Sequence, residues 1–269
     1  MNALEKEWRV LRRAEEQLRQ QAMRRAAPGW KAKIEERIPE KLMTGLESAF
    51  EKAFTLIFEK GTVVIERTYR RGALEKDFKV RDYAVDIRRG RRELGKVRRS
   101  AGRSNALTTV LTTVEGVGLG ALGIGLPDVA VWVAVLLRSV YETALKYGFS
   151  YDTPEERLFI LKMMEASMST GARWSELDGA LDDDIRRGVL PFPSEEEWAA
   201  QLRQTSDAFA AELLAAKFVQ GLPVVGIVGG AANPVYYQKV MRYVQLKYRK
   251  RYLVLKRRSR LAGGPPGGN

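Results

Sequence analysis

The 269-residue chain contains no histidine and no cysteine. Lacking His, it has lost the side chain that most often serves as general base, metal ligand or triad partner near neutral pH. Lacking Cys, it forms no disulfide, and a reducing compartment is the simple expectation. Zinc, which proteins hold almost wholly with Cys and His, is excluded. Any catalysis would fall to Asp, Glu, Lys, Ser, Thr or Tyr, and no cofactor is expected. The first thirty residues, opening Met1-Asn2-Ala3-Leu4-Glu5-Lys6, hold no apolar run of signal-peptide length. That points to the cytoplasm.

What is present is charge, unevenly placed. The chain is 45% hydrophobic, as a globular protein requires, yet carries a formal net charge of +13. Residues 1–104 hold 27 Lys/Arg against 16 Asp/Glu, residues 105–238 hold 9 against 17, and residues 239–269 hold 10 against none. An acidic-to-neutral middle is thus flanked by two basic arms, a pattern that suits a polyanionic partner, either nucleic acid or an anionic membrane face.

The hydrophobic periodicity is helical. Leu4, Trp8, Leu11, Leu18 and Ala22 recur at three- and four-residue spacing with Arg9, Arg12, Arg13 and Arg19 between them, predicting a helix over 2–26 that Pro28-Gly29 ends. Residues 30–60 read as helix interrupted at Pro39, with Phe50, Phe54, Ile57 and Phe58 on its apolar face. The β-branched stretch 62–69 suits strand or helix, and the lack of a partner strand favours helix. Residues 74–100 read as one helix ending in Arg88, Arg89, Arg91, Arg92, Lys96, Arg98, Arg99 and Arg103. Pro127 at a first helical position, Lys146 in a last turn and Gly148 just beyond it bound another. Thr153-Pro154-Glu155-Glu156 and Ser194-Glu195-Glu196-Glu197 are capping boxes, and Asn233-Pro234 opens a final helix to about Arg258. The polar stretch 171–193, with Asp178 and Asp182-Asp183-Asp184, lacks the spacing of a calcium loop and reads as a solvated connection.

Two segments stand apart. From Ala106 to Leu137 only Glu115 and Asp128 are charged, and from Phe218 to Gln238 nothing is. Gly118-Leu119-Gly120-Ala121-Leu122-Gly123 matches a dinucleotide fingerprint, but Pro127 breaks the helix such a site needs and no alternating strand–helix pattern surrounds it. Close helix packing explains the glycines better: Gly116 and Gly120, with Gly123 nearby, and likewise Gly226 and Gly230, recur at spacings that share a helix face. Prolines and polar residues interrupt both segments, which favours buried core hairpins over membrane spans. Glu115 and Asp128 are candidate buried acids, for acid/base work or, more simply, for an ion pair and a helix N-terminus.

The expected fold is therefore all-α: a helical bundle with two Gly-rich apolar central hairpins and basic amphipathic outer helices. Its expected divisions are a basic N-terminal extension over 1–44, a helical domain over 45–260 and a flexible Gly/Pro tail over 261–269. The final helix carries Lys239, Arg242, Lys247, Arg249, Lys250, Arg251, Lys256, Arg257 and Arg258 beside Tyr237, Met241, Val244, Tyr248 and Tyr252. Basic and aromatic residues together suit a helix lying on anionic lipid, or a strand of nucleic acid stacked on Tyr. No nucleic-acid motif accompanies the charge, so an anionic membrane surface ranks first as partner, nucleic acid second, and an acid/base enzyme built on Glu115 and Asp128 third.

Four pieces in order carry a resemblance. They are Phe58-Glu-Lys-Gly61 with Thr68-Tyr69; Glu115-Gly-Val-Gly-Leu-Gly-Ala-Leu-Gly123 through Leu126-Pro127-Asp128; Tyr147-Gly148-Phe149 with Pro154-Glu155-Glu156-Arg157; and Phe218 to Tyr237 with Tyr248-Arg-Lys-Arg-Tyr252. Over residues 45–255 the chain resembles the EcsC family, named after a gene neighbouring those of a bacterial ABC exporter. The family has no established activity and no assigned catalytic residues. The resemblance implies a bacterial protein, cytoplasmic or peripheral to the inner face of the membrane, with another membrane protein as a conceivable partner.

Overall fold

Asn2 and Glu5 open the first helix with reciprocal hydrogen bonds: the Glu5 amide donates to Asn2 Oδ1 and the Asn2 amide to Glu5 Oε2, both at 2.9 Å. This satisfies amides that a helix start otherwise leaves without partners. The computed structural model describes residues 2–25, 38–102, 127–219 and 234–262. Its elements are α1 (Ala3–Arg25), α2 (Glu40–Leu56), a π-helical turn (Ile57–Gly61), α3 (Thr62–Glu66), α4 (Arg71–Arg88), α5 (Arg91–Ala101), α6 (Pro127–Lys146), α7 (Pro154–Met168), α8 (Gly171–Arg187), α9 (Glu195–Val219) and α10 (Pro234–Leu261). Among the described residues there is no strand, and the expected all-α class holds. The two Gly-rich segments, with Gly116, Gly120, Gly123, Gly226 and Gly230, lie outside the described residues.

The centre of the bundle is α6, buried on nearly every side from Val129 to Tyr147. A helix apolar all round must sit inside. It packs against α2, α4, α5 and α10. The equally buried α7 packs against α8, α9 and α10. Phe50 and Phe54 of α2, Trp132 of α6 and Phe209 of α9 form an aromatic knot, with the three other rings 5.4–5.7 Å from Phe209. Edge-on and tilted contacts of this kind add to the burial of large apolar area.

Local signals set most ends. Gly148, at φ +82°, closes α6: its amide donates to Leu145 O and the Phe149 amide to Ala144 O, the Schellman arrangement. Ser194 and Glu197 exchange both bonds of a capping box. At Thr153 only half the box forms, Oγ1 accepting from the Glu156 amide, because the Glu156 carboxylate is used elsewhere.

Two expectations fail. Residues 74–100 are not one helix: Arg89 takes left-handed geometry at φ 49°, ends α4 and lets Gly90 turn the chain into α5. The stretch 171–187 is no solvated connection but the helix α8. Trp174, Leu177, Leu181 and Ile185 recur along one face of it and are buried. Helix α1, within the expected N-terminal extension, docks on α10, α5 and α8.

Candidate functional site

The cations of α10 divide by direction. Lys247 is 1% exposed and bridges Asp178 at 2.7 Å and Asp182 at 2.6 Å, both on α8. Lys250 joins Asp182 at 2.7 Å to Glu15 of α1 at 2.6 Å. Arg249 meets Glu7, which is itself 2% exposed. Arg251 lies 2.6 Å from Glu156 and over the Phe149 ring, and Lys239 lies 2.7 Å from Glu212. With Lys256, which binds Asp82 and Asp86, six of the nine cations expected on the final helix therefore face carboxylates within the bundle. The cause is geometric: α10 is buried around much of its circumference, and a cation there needs a partner.

The remaining three differ. Arg242 is exposed and lines a small cleft of about 190 Å³ with Arg98 and Arg249. Arg257 is exposed. Arg258, also exposed, donates to the carbonyls of Arg186 and Arg187 and so caps the C-terminus of α8. Glu115 lies outside the described residues, as does the side chain of Asp128, whose backbone falls in the first turn of α6.

One cluster of outward positive charge lies where the first and last helices meet. Residues from α1 and from the last turns of α10 enclose a cleft of about 730 Å³. Arg9, Arg12, Arg257 and Arg260 line it, with Leu4, Trp8 and Leu261 as its apolar surface. The two basic arms, at opposite ends of the sequence, thus form one surface. Sequence reasoning found Arg9, Arg12 and Arg257 as members of basic helices but missed Trp8 and Arg260 as a shared site.

Next to that end lies α4. Its inner face is tied to α10: Lys256 binds Asp86 at 2.8 Å and Asp82 at 2.7 Å, and the Tyr252 hydroxyl donates to Asp82. Its outer face carries Val80, Tyr83 and Ile87, which are 70%, 62% and 58% exposed. Positions 80, 83 and 87 follow helical spacing and make one stripe. Lys76 and Lys79 are exposed at its start, and Arg88, Arg89, Arg91 and Arg92 at its end. An apolar stripe with cationic flanks is the pattern of a helix that lies in a membrane interface.

The described pieces of the resemblance meet in the core. Arg157 donates to Phe58 O at 3.3 Å, and the hydroxyls of Tyr69 and Tyr151 are 2.6 Å apart. Phe149 stacks on Tyr248, whose hydroxyl donates to Glu156 at 2.8 Å. Burial pushes the Tyr141 phenol, stacked on Tyr151, up to about 12, so it stays neutral at physiological pH. These residues pack and cap, which accounts for their spacing without any reaction.

No curated protein and no solved structure matches the chain significantly. The model of the EcsC protein family matches residues 5–253, beginning inside α1 rather than at residue 45. With the match spanning nearly all the described helices, the chain belongs to the EcsC family.

Proposed function

We propose that the protein docks peripherally on an anionic membrane face, the inner face of the bacterial cell membrane, and that it works there beside another membrane protein. The observation that carries this is the exposed stripe Val80–Tyr83–Ile87, set between Lys76/Lys79 and the arginines of the α4–α5 corner. Apolar side chains this exposed are expensive unless something covers them. Cations on both flanks make anionic lipid the fitting cover, since each contributes about 1 kcal/mol near such a surface. No described helix is long and apolar enough to cross a bilayer, so docking rather than spanning is the mode proposed. Because the family is named after a gene neighbouring those of a bacterial ABC exporter, a transporter is the first protein partner to test.

Nucleic acid fits less well. Of the α10 tyrosines expected to stack on bases, Tyr248 and Tyr252 are buried and Tyr237 is half-buried against Ser139. Acid/base chemistry between Glu115 and Asp128 gains no support from the described residues.

The test is flotation with phosphatidylglycerol-containing and neutral vesicles. Binding is expected to anionic vesicles at low salt and to fall as salt shortens the Debye length from about 10 Å at 0.1 M. Ile87→Asp should reduce it at least tenfold, and changing Arg88, Arg89, Arg91 and Arg92 to Gln should remove most of the salt dependence. Equal binding to neutral vesicles would refute the electrostatic part. Failure on both vesicles with retention of duplex DNA at physiological salt would replace the membrane reading with nucleic acid.

A further inference from the structure

The cleft between α1 and the end of α10 differs from the stripe on α4. It is concave, of a volume that suits a single small molecule, and its charge is concentrated in one chemical type. Arg9, Arg12, Arg257 and Arg260 line it against one carboxylate, that of Glu5. Glu5 is already occupied, accepting from the Asn2 amide at 2.9 Å. Among the described residues, no carboxylate is paired with any of the four arginines, in contrast to Arg249 and Lys250 about two to three turns earlier on α10. Two of the lining residues, Trp8 and Arg260, also hold a donor buried behind that surface, Nε1 and Nη2, which reaches neither solvent nor an acceptor. A donor left in that state costs free energy that an acceptor would restore.

We infer that this cleft is a binding site for a phosphomonoester group, on the surface that the proposed membrane docking brings to the lipid headgroups. The inference rests on that docking only for the source of the ligand, not for the chemistry of the site. A phosphomonoester carries about −1.5 to −2 charge near pH 7 and three terminal oxygens, whereas a phosphodiester carries a single charge. Guanidinium groups bind such oxygens through paired, parallel N–H donors, so four of them favour the dianion over the monoanion. A phosphate seated there lies beside Trp8 and Arg260, the two lining residues whose buried donors have no acceptor. Leu4 and Leu261 then line the path of whatever apolar group the phosphate carries.

Two sources share this chemistry, a phosphatidic-acid headgroup and a free soluble monoester. The experiment separates them by following the Trp8 indole ¹H–¹⁵N resonance, assigned with Trp8→Phe. Glycerol 3-phosphate should shift it saturably and bind at least tenfold tighter than dimethyl phosphate. Arg12→Gln combined with Arg260→Gln should weaken that binding at least tenfold, while Ile87→Asp should leave it unchanged. In flotation at matched surface charge, phosphatidic acid should bind the wild type better than phosphatidylglycerol does, and the Arg12/Arg260 variant should lose that difference. No saturable shift with glycerol 3-phosphate, or equal affinity for the diester, overturns the site whatever the vesicles show. A saturable, monoester-selective shift from a protein that binds no vesicle upholds the site, assigns it a soluble ligand and sinks the membrane reading instead.

Discussion

A β-carbon at position 148 would sit 2.2 Å from Phe78 Cε1, on a backbone at φ +82°. Both facts oppose any side chain there, so Gly148→Ala is expected to destabilise by about 2 kcal/mol or more. Gly45 and Gly179 lie inside helices with nothing within 4 Å of an added carbon. Alanine at either should stabilise by roughly 0.5–1 kcal/mol, because glycine pays the larger backbone entropy there. Urea denaturation of the three variants checks the contrast, and equal shifts for all would show that the Phe78 contact is not rigid. The sequence announces Gly148 as a helix end, since Lys146 and a following aromatic frame it. It does not announce Phe78, seventy residues earlier. Glu156 shows the same limit: its capping role is legible from Thr153 three residues before it, but its carboxylate goes to Tyr248 and Arg251, which only folding brings near.

Helix α8 illustrates what periodicity can and cannot reveal. The spacing of Trp174, Leu177, Leu181 and Ile185 is legible in the sequence, but four aspartates and a glycine among them suggest solvent. Aspartate is a poor helix former because its side chain competes for backbone hydrogen bonds, but tertiary contacts override that preference here, where Lys247 and Lys250 pair with Asp178 and Asp182 across the seam with α10. The same blindness made all the cations of α10 look alike. A helix periodicity fixes which residues share a face, not what faces them. The seam separates inward from outward charge experimentally. Lys247→Met leaves Asp178 without its cation and Asp182 with Lys250 alone, and is expected to cost about 3 kcal/mol. Arg257→Gln, at an exposed position, should fall within about 0.5 kcal/mol of wild type. Comparable losses in thermal unfolding for the two would mean that Lys247 is not an interior cation.

Across the whole molecule the absence of histidine becomes a statement about pH. No side chain has an ordinary pKa between about 5 and 8, so folding stability should be nearly level there. The limits come from the interior pairs. Burial tends to raise the Asp182 carboxyl, but Lys247 and Lys250 outweigh it and hold the group below its ordinary 3.8. A carboxylate depressed in the folded state stabilises above its unfolded pKa, and that stabilisation is lost as pH falls through the lower folded value. Asp152 adds in the same direction, held low by its hydrogen bond from Arg71. Lys250 is the mirror case: burial opposes its charge, yet Asp182 and Glu15 keep it above its ordinary 10.5. Its contribution is complete below that value and disappears as pH rises through the raised one. Glu47 and Asp207 work the other way, each raised by burial and by a neighbouring carboxylate, so mild acid relieves them slightly before the losses begin. Melting temperature at constant ionic strength should therefore be flat from about pH 6 to 9, level or slightly higher near pH 5, and lower below the ordinary 3.8 of Asp182 and above the ordinary 10.5 of Lys250. Asp182→Asn should lower the plateau and shallow the acid limb. An acid limb unchanged in that variant would move its origin to other carboxylates, and a steep transition between pH 6 and 8 would contradict the level interior altogether. Membrane docking, carried by exposed arginines, should follow salt rather than pH over the same interval, so the two dependences can be read separately on one protein.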